Sequence, residues 1–175
     1  MSRYCPITLN GIALDCENNK GGIKVAYVAP YEDVTATVDK TTGMVETLTI
    51  TGDGKFKAYQ FRKNTGSMNS TLTADETNGL NYVTTEISLV FTKMSTAKRL
   101  EMAALSLGQL AVVVEDSNGI YWLCTVDDYA SASAGSGETG TAKGDRNAYT
   151  LTLSVENDSY PVEVPASVMK DLIEA

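Results

Sequence analysis

Side chains able to do chemistry are sparse in this chain, and histidine is absent altogether. Without an imidazole there is no Ser-His-Asp or Cys-His relay, no histidine metal site and no acid–base group poised near neutrality. The remaining candidates are few. Gly135-Ser136-Gly137 with Gly140 has the composition of a phosphate-cradling loop. No Gly-Lys-Ser/Thr follows and no helix pattern opens behind it, so a flexible loop is expected there instead. Asp127-Asp128, at the end of an expected strand, offers the oxygen ligands a divalent cation takes. Paired acids in that position are ordinarily solvated turn residues, and Asp75-Glu76 is read the same way. Lys143-Gly144-Asp145-Arg146-Asn147 is open to two readings: a recognition loop whose acid and base bridge to a partner, or an internal salt link that sets the start of the last strand. Tyr121 and Trp122 are adjacent on a strand and point to opposite faces, one expected in the core and the other as an interface anchor. Cys5, Cys16 and Cys124 form an odd set with no CxxC pair. That predicts reduced thiols rather than a disulfide framework or a zinc site, with a Cys5–Cys16 bridge left open. No activated nucleophile stands beside a base. The expectation is therefore a protein with no catalytic residues, no cofactor and no metal, and not an enzyme.

Composition sharpens that exclusion. The 175 residues are 43% hydrophobic and 21% charged, which predicts a soluble globular chain forming one domain over 1–175. Lys and Arg number 14 against 22 Asp and Glu, a formal net charge of −8. Tight wrapping of nucleic acid normally needs clustered Lys and Arg, so that class is disfavoured, although a surface that DNA passes without sticking is not. The opening Met1-Ser2-Arg3-Tyr4-Cys5-Pro6 lacks the apolar core of a signal peptide. The longest aliphatic run, Leu110 to Val114, falls far short of the roughly 20 residues of a membrane span. A cytosol-like space is expected, without a membrane partner.

The elements that must carry such residues are mostly strands. Thr, Val, Ile and Tyr recur in short runs broken by Gly, Asn and Asp, a β-rich signature. Residues 22–29 alternate with Ile23, Val25 and Tyr27 on one face, and Pro30 ends the run. Val45 to Thr51 is a second strand with Leu48 and Ile50 inward; after a Thr51–Gly54 turn, Lys55 to Lys63 extends with Tyr59 and Phe61 in register. Residues 81–92 alternate cleanly. Val83, Ile87, Leu89 and Phe91 face a core, while Thr84, Glu86, Ser88 and Thr92 face water, interrupted only by Val90. The segment 64–79 before it reads as a long polar loop or arm holding Met68 and Leu72.

One helix is predicted, capped by Ser95 or Thr96, with Ala97, Leu100, Ala104 and Leu107 on its buried stripe and Gly108 as a left-handed cap. Lys98 and Arg99 fall in its first turn, the unfavourable end of the dipole, and call for compensation from outside. Leu110–Glu115 and Ile120–Val126 form a hairpin across Asn118-Gly119, a type I′ signal. Residues 129–144 read as a flexible Gly/Ser/Ala loop, 147–155 as the last strand, and 166–174 as a short terminal helix. The sum is a mainly β fold, a β-sandwich or open barrel with one central α-helix and a long loop arm.

The blocks GGIKVAYVAPYEDVTA, FKAYQFRKNTGSMNSTLTADETNGLNYVTTEISLVFTKM, AKRLEMAALSLGQLAVVVEDSNGIYWL and TGTAKGDRNAYTLTL, in order along most of the chain, resemble a family of virion structural proteins from phages and prophages of gut Bacteroides-type bacteria. Within the virion the plan looks like that of tail tube proteins. The resemblance implies hexameric rings that stack into a hollow tube through which genomic DNA passes unbound. It implies contacts with other tail or neck proteins, and a place in the virion after assembly in the host cytoplasm. It carries no motif that assigns single functional residues.

The residues themselves fit that role in three respects. Thr84, Glu86 and Ser88 form the polar face expected to line a lumen, where acids would repel phosphate. The arm 64–79 and the loop 129–144 are expected to dock on neighbouring subunits, with Arg62, Asn64, Met68, Asn69, Asp75, Glu76, Lys143, Asp145 and Arg146 as contact residues. Closing sheet edges between subunits would also remove the liability of an open sandwich. Two alternatives stand beside this reading: a capsid-decorating or neck ring protein of the same virion, and a carbohydrate- or ligand-binding β-sandwich in which Trp122 and the tyrosines stack on sugar.

Overall fold

A computed structural model describes residues 6–174, and the period-two patterns resolve there into eleven strands and two helices. In chain order these are β1 (Ile23–Pro30), a single 3-10 turn at Tyr31–Asp33, β2 (Val34–Val38), β3 (Val45–Ile50), β4 (Lys57–Gln60), β5 (Ser67–Asp75), β6 (Leu80–Thr92), α1 (Thr96–Leu107), β7 (Leu110–Asp116), β8 (Tyr121–Leu123), β9 (Ser131–Glu138), β10 (Ala148–Asn157), β11 (Val162–Val164) and α2 (Ala166–Lys170). The fold is mainly β, and the paired strands run antiparallel. A five-stranded sheet has the order β11-β8-β7-β1-β4, a four-stranded sheet the order β5-β6-β10-β9, and β2 with β3 makes a separate hairpin.

The Leu110–Val114 run explains the layering. A strand that reads Leu-Ala-Val-Val-Val with no alternation must bury both faces, and all five of these residues are buried. Val112 and Val114 join Ala26 and Val28 against Ile87, Leu89, Leu151 and Leu153 of the four-stranded sheet. Ala111 and Val113 turn the other way, onto Val45 and Leu48 of the hairpin, Phe56, and Met169 of α2. The five-stranded sheet is thus the middle layer. Each fully buried aliphatic or aromatic side chain stabilises it by about 1.5–3 kcal/mol.

Local irregularities shift three expected faces. A register shift between Ile23 and Val25 puts Ile23 with Ala26 and Val28. Val25 and Tyr27 pack on the opposite side, so the three do not share a face. In α1, Ser95 caps the N–H of Lys98, and the Lys98 ammonium donates to the Thr92 and Lys93 carbonyls, which supplies the expected compensation. The stripe is rotated, however. Leu105 is buried and Met102 packs beside it, whereas Leu100 and Leu107 are 57% and 90% exposed. Gly108 is extended (φ −85°, ψ 153°), not left-handed, because the chain enters β7 almost at once. A Cβ there would lie 3.0 Å from a Leu110 methyl. In the Asn118-Gly119 turn, Gly119 alone has a positive φ and Asp116 Oδ1 accepts the N–H groups of Asn118 and Ile120, so it is not type I′.

Two expected loops are largely strands. The polar segment 64–79 contains β5, paired residue for residue with β6 from Ser67↔Ser88 to Asp75↔Leu80. In 129–144, residues 131–138 form β9 along β10. One β9 glycine is there for space: a Cβ on Gly137 would sit 3.0 Å from the Tyr149 ring. Strands β2 and β11 were not anticipated at all, since each has five residues or fewer.

Candidate functional site

Among the described residues the chemical candidates dissolve into structure. Gly135 and Gly137 lie on strand β9. Asp127 Oδ2 accepts the N–H of Asp158 at 3.0 Å, and Asp128 Oδ1 that of Tyr129 at 2.8 Å, as turn residues do. No three Cys, Asp or Glu side chains converge as metal ligands among the described residues. In the 143–147 loop, Asp145 Oδ2 takes the N–H groups of Thr141 and Ala142, Arg146 pairs with Glu138, and Asn147 Oδ1 takes the N–H of Met94. These bonds set the start of β10, as the internal-link reading expects. Tyr121 packs against Tyr27, and Trp122 packs on the opposite core with its indole N–H on Asp116 Oδ2 at 3.0 Å. Neither ring is the free anchor that was expected. Cys124 is fully buried, and burial pushes its thiol well above the ordinary range; Cys16 is exposed and free. Cys5, and with it the Cys5–Cys16 pairing, lies outside the described residues.

What the fold does expose is the middle of the outer face of the four-stranded sheet, around Glu86; toward its other end Val90 and Ala148 on that same face are buried. The inner face carries Val83, Ile87, Leu89, Leu151, Leu153 and Val155. Thr85 is fully buried among them, its hydroxyl 2.8 Å from that of Ser70. The outer face carries Thr84, Glu86 and Ser88, flanked by Glu156, Ser154 and Thr152 on β10 and by Thr71, Asn69 and Ser67 on β5. Glu86 is exposed; Thr84 and Ser88 are half-buried by their neighbours. No Lys or Arg occurs anywhere in β5, β6, β9 or β10. The result is a hydroxyl-rich sheet surface whose own strands contribute only carboxylate charges, with Arg62 reaching it from outside at Thr92. Its two margins, β5 and β9, contain no Lys and no Pro, the residues that usually keep a strand edge from pairing.

The expected contact residues do not gather in one place. Met68 points inward with its sulfur 3.5 Å from that of Cys124, so it is a core residue and not a surface contact. Asn69 sits on the outer face opposite Glu86. Asp75 and Glu76 occupy the β5–β6 turn, where the carboxylate of Asp75 accepts hydrogen bonds from the Asn78 side chain and from the N–H groups of Thr77 and Asn78. These bonds, the Asn78 amide foremost, hold its carboxyl below the usual carboxylate range. Asn64 adopts a left-handed backbone (φ 64°) beside Arg62, whose Nε donates to Thr92 Oγ1 at 3.1 Å.

One feature escaped the sequence reading. Lys20, Lys24, Arg62 and Lys63 line a cleft of about 750 Å³ with Ile23 and Phe61 as its apolar lining. The residues come from two segments some forty positions apart, so no linear motif announces them. No helix among the described residues is long and apolar enough to cross a membrane. No family model matches the sequence, and neither a curated protein nor a solved structure matches it.

Proposed function

We propose that this chain is a structural subunit of a phage virion and, within it, the tail tube protein. Copies join through the margins of the four-stranded sheet, β5 of one against β9 of the next, and close into rings. By the resemblance those rings are hexameric. Their inner wall is the outer face of the sheet, with Thr84, Glu86 and Ser88 toward the lumen, and stacked rings form a conduit for DNA. The supporting observation is the charge of the face: its four strands contain no Lys or Arg, Arg62 reaches it only at the Thr92 end, and around its middle Glu86 and Glu156 repel phosphate. Unguarded margins support the same reading, since edge pairing supplies the backbone hydrogen bonds that β5 and β9 lack on their outer sides.

Electron microscopy of the purified chain is the test. Long hollow tubes are the expected result. Single rings, or monomers that decorate capsids, would move the protein to the neck or head of the same virion. A monomer that binds glycans through Trp122 would replace the reading with a ligand-binding sandwich, which the packed and hydrogen-bonded indole does not favour.

A further inference from the structure

The β5–β6 turn and the basic cleft lie at opposite ends of one strand. Arg62 and Lys63 precede β5, and the cleft lining at Gly22 approaches the Gly66 carbonyl at its start. Asp75 closes β5 at the other end, about 27 Å away at the usual rise per residue. The turn also stands clear of its neighbours. β10 ends at Asn157 opposite Val83, so the β5–β6 hairpin continues by three residues on β6, roughly 10 Å, beyond it.

Charge is sorted between these two ends. Asp75 and Glu76 are on the overhanging turn, and Asp127 and Asp158 flank Asn157 at the same end. Lys20, Arg62 and Lys63 are at the other. Among the described residues the ion pairs are Lys24–Glu115, Lys57–Glu174 and Arg146–Glu138, which include neither the acids of the turn nor these three cations. Apolar side chains accompany the charges at both ends: Leu72 and Leu80 behind the turn are 47% and 49% exposed, and the cleft offers the half-buried Phe61.

We propose that the hairpin turn of one copy docks in the basic cleft of the next, with Asp75 and Glu76 facing Arg62, Lys63 and Lys20, and Leu80 laid on Phe61. This rests on the reading that the chain assembles with itself, and it adds the axial contact to the lateral one. The occupant is a second copy because the turn cannot reach its own cleft and matches it in both charge and apolar content. The contact is heterologous: like ends repel, so copies add head to tail with one polarity.

A charge swap tests it. Glu76→Lys with Thr77→Lys makes the turn net positive while keeping Asp75, and Arg62→Glu with Lys63→Glu reverses the cleft. Each variant alone is expected to lose assemblies longer than one ring by sedimentation and electron microscopy. A 1:1 mixture of rings assembled separately from each variant, in which opposite charges meet wherever rings alternate, should regain them. Wild-type length in either variant, or no recovery in the mixture, overturns the inference. Tubes that ignore the swap leave the tube reading standing and remove this contact. Linear chains that obey the swap but never form rings do the reverse. A wild-type chain that stays monomeric at every concentration removes both.

Discussion

Tyr59 Oη donates to Glu101 Oε1 at 2.6 Å, tying the edge strand β4 of the middle sheet to helix α1 across the Phe91 ring. Partial burial, and then the hydrogen bond to Glu101, push the Tyr59 hydroxyl well above its ordinary range. Tyr59→Phe keeps the ring and loses the bond, which should cost about 1 kcal/mol in chemical denaturation.

Alkaline titration extends this. Burial foremost, then the charges and hydrogen bonds of Tyr121 and Glu115, push Tyr27 up to about 12. A raised folded pKa means stability that is complete below the unfolded value near 10 and is lost as pH rises toward 12. The chain should therefore lose stability steeply above pH 10, and Tyr27→Phe should flatten that slope in a pH series of thermal melts.

The Thr85–Ser70 pair predicts an asymmetry. Thr85 is fully buried and Ser70 only half-buried. Ser70→Ala strands the Thr85 hydroxyl in the core and should cost about 1–3 kcal/mol, whereas Thr85→Val removes the buried polar group and should cost less. Equal losses by urea denaturation would mean that the hydroxyl finds another partner.

Helix α1 shows where the sequence was misleading. Ala97, Leu100, Ala104 and Leu107 form as good a stripe as Met102 and Leu105, and periodicity cannot say which one meets the protein. Tertiary contact with β9 and β10 selects Leu105. Leu105→Ala should cost about 2–5 kcal/mol, and Leu107→Ser should stay within about 0.5 kcal/mol. Strands β6 and β10 were legible for the opposite reason, since one buried and one bare face leave a clean alternation. β5 and β9 were not, because edge strands bury little: β9 carries Gly and Ser where a core strand would carry Val, and Gly137 makes room for Tyr149. The bare face of the candidate site was thus readable in Thr84, Glu86 and Ser88, while its margins were read as loops. The cleft was invisible because Lys20 and Arg62 meet only after β1 and β4 pair.

The proposed lumen gives a functional test. Glu86→Lys with Glu156→Lys changes side chains that are exposed and take part in no ion pair among the described residues, so the subunit should fold and assemble normally. Phage carrying these changes should eject DNA slowly or not at all, because a cationic lining holds phosphate. Normal infectivity would argue against a lumen on this face.

Acid should dissolve the axial contact, and Asn78 should set where. The Asn78 amide and the backbone N–H groups of Asn78 and Thr77 keep the Asp75 carboxyl below the usual carboxylate range. A depressed pKa keeps the turn charged as pH falls, and its attraction to the cleft cations is lost only as pH drops through that lowered value. Asn78→Ala removes the largest of those contributions, so Asp75 should take up its proton at a higher pH. Sedimentation of assemblies across an acid series should then show dissociation beginning at higher pH in the variant than in the wild type. Coincident curves would mean that Asp75 does not contribute its charge to the contact.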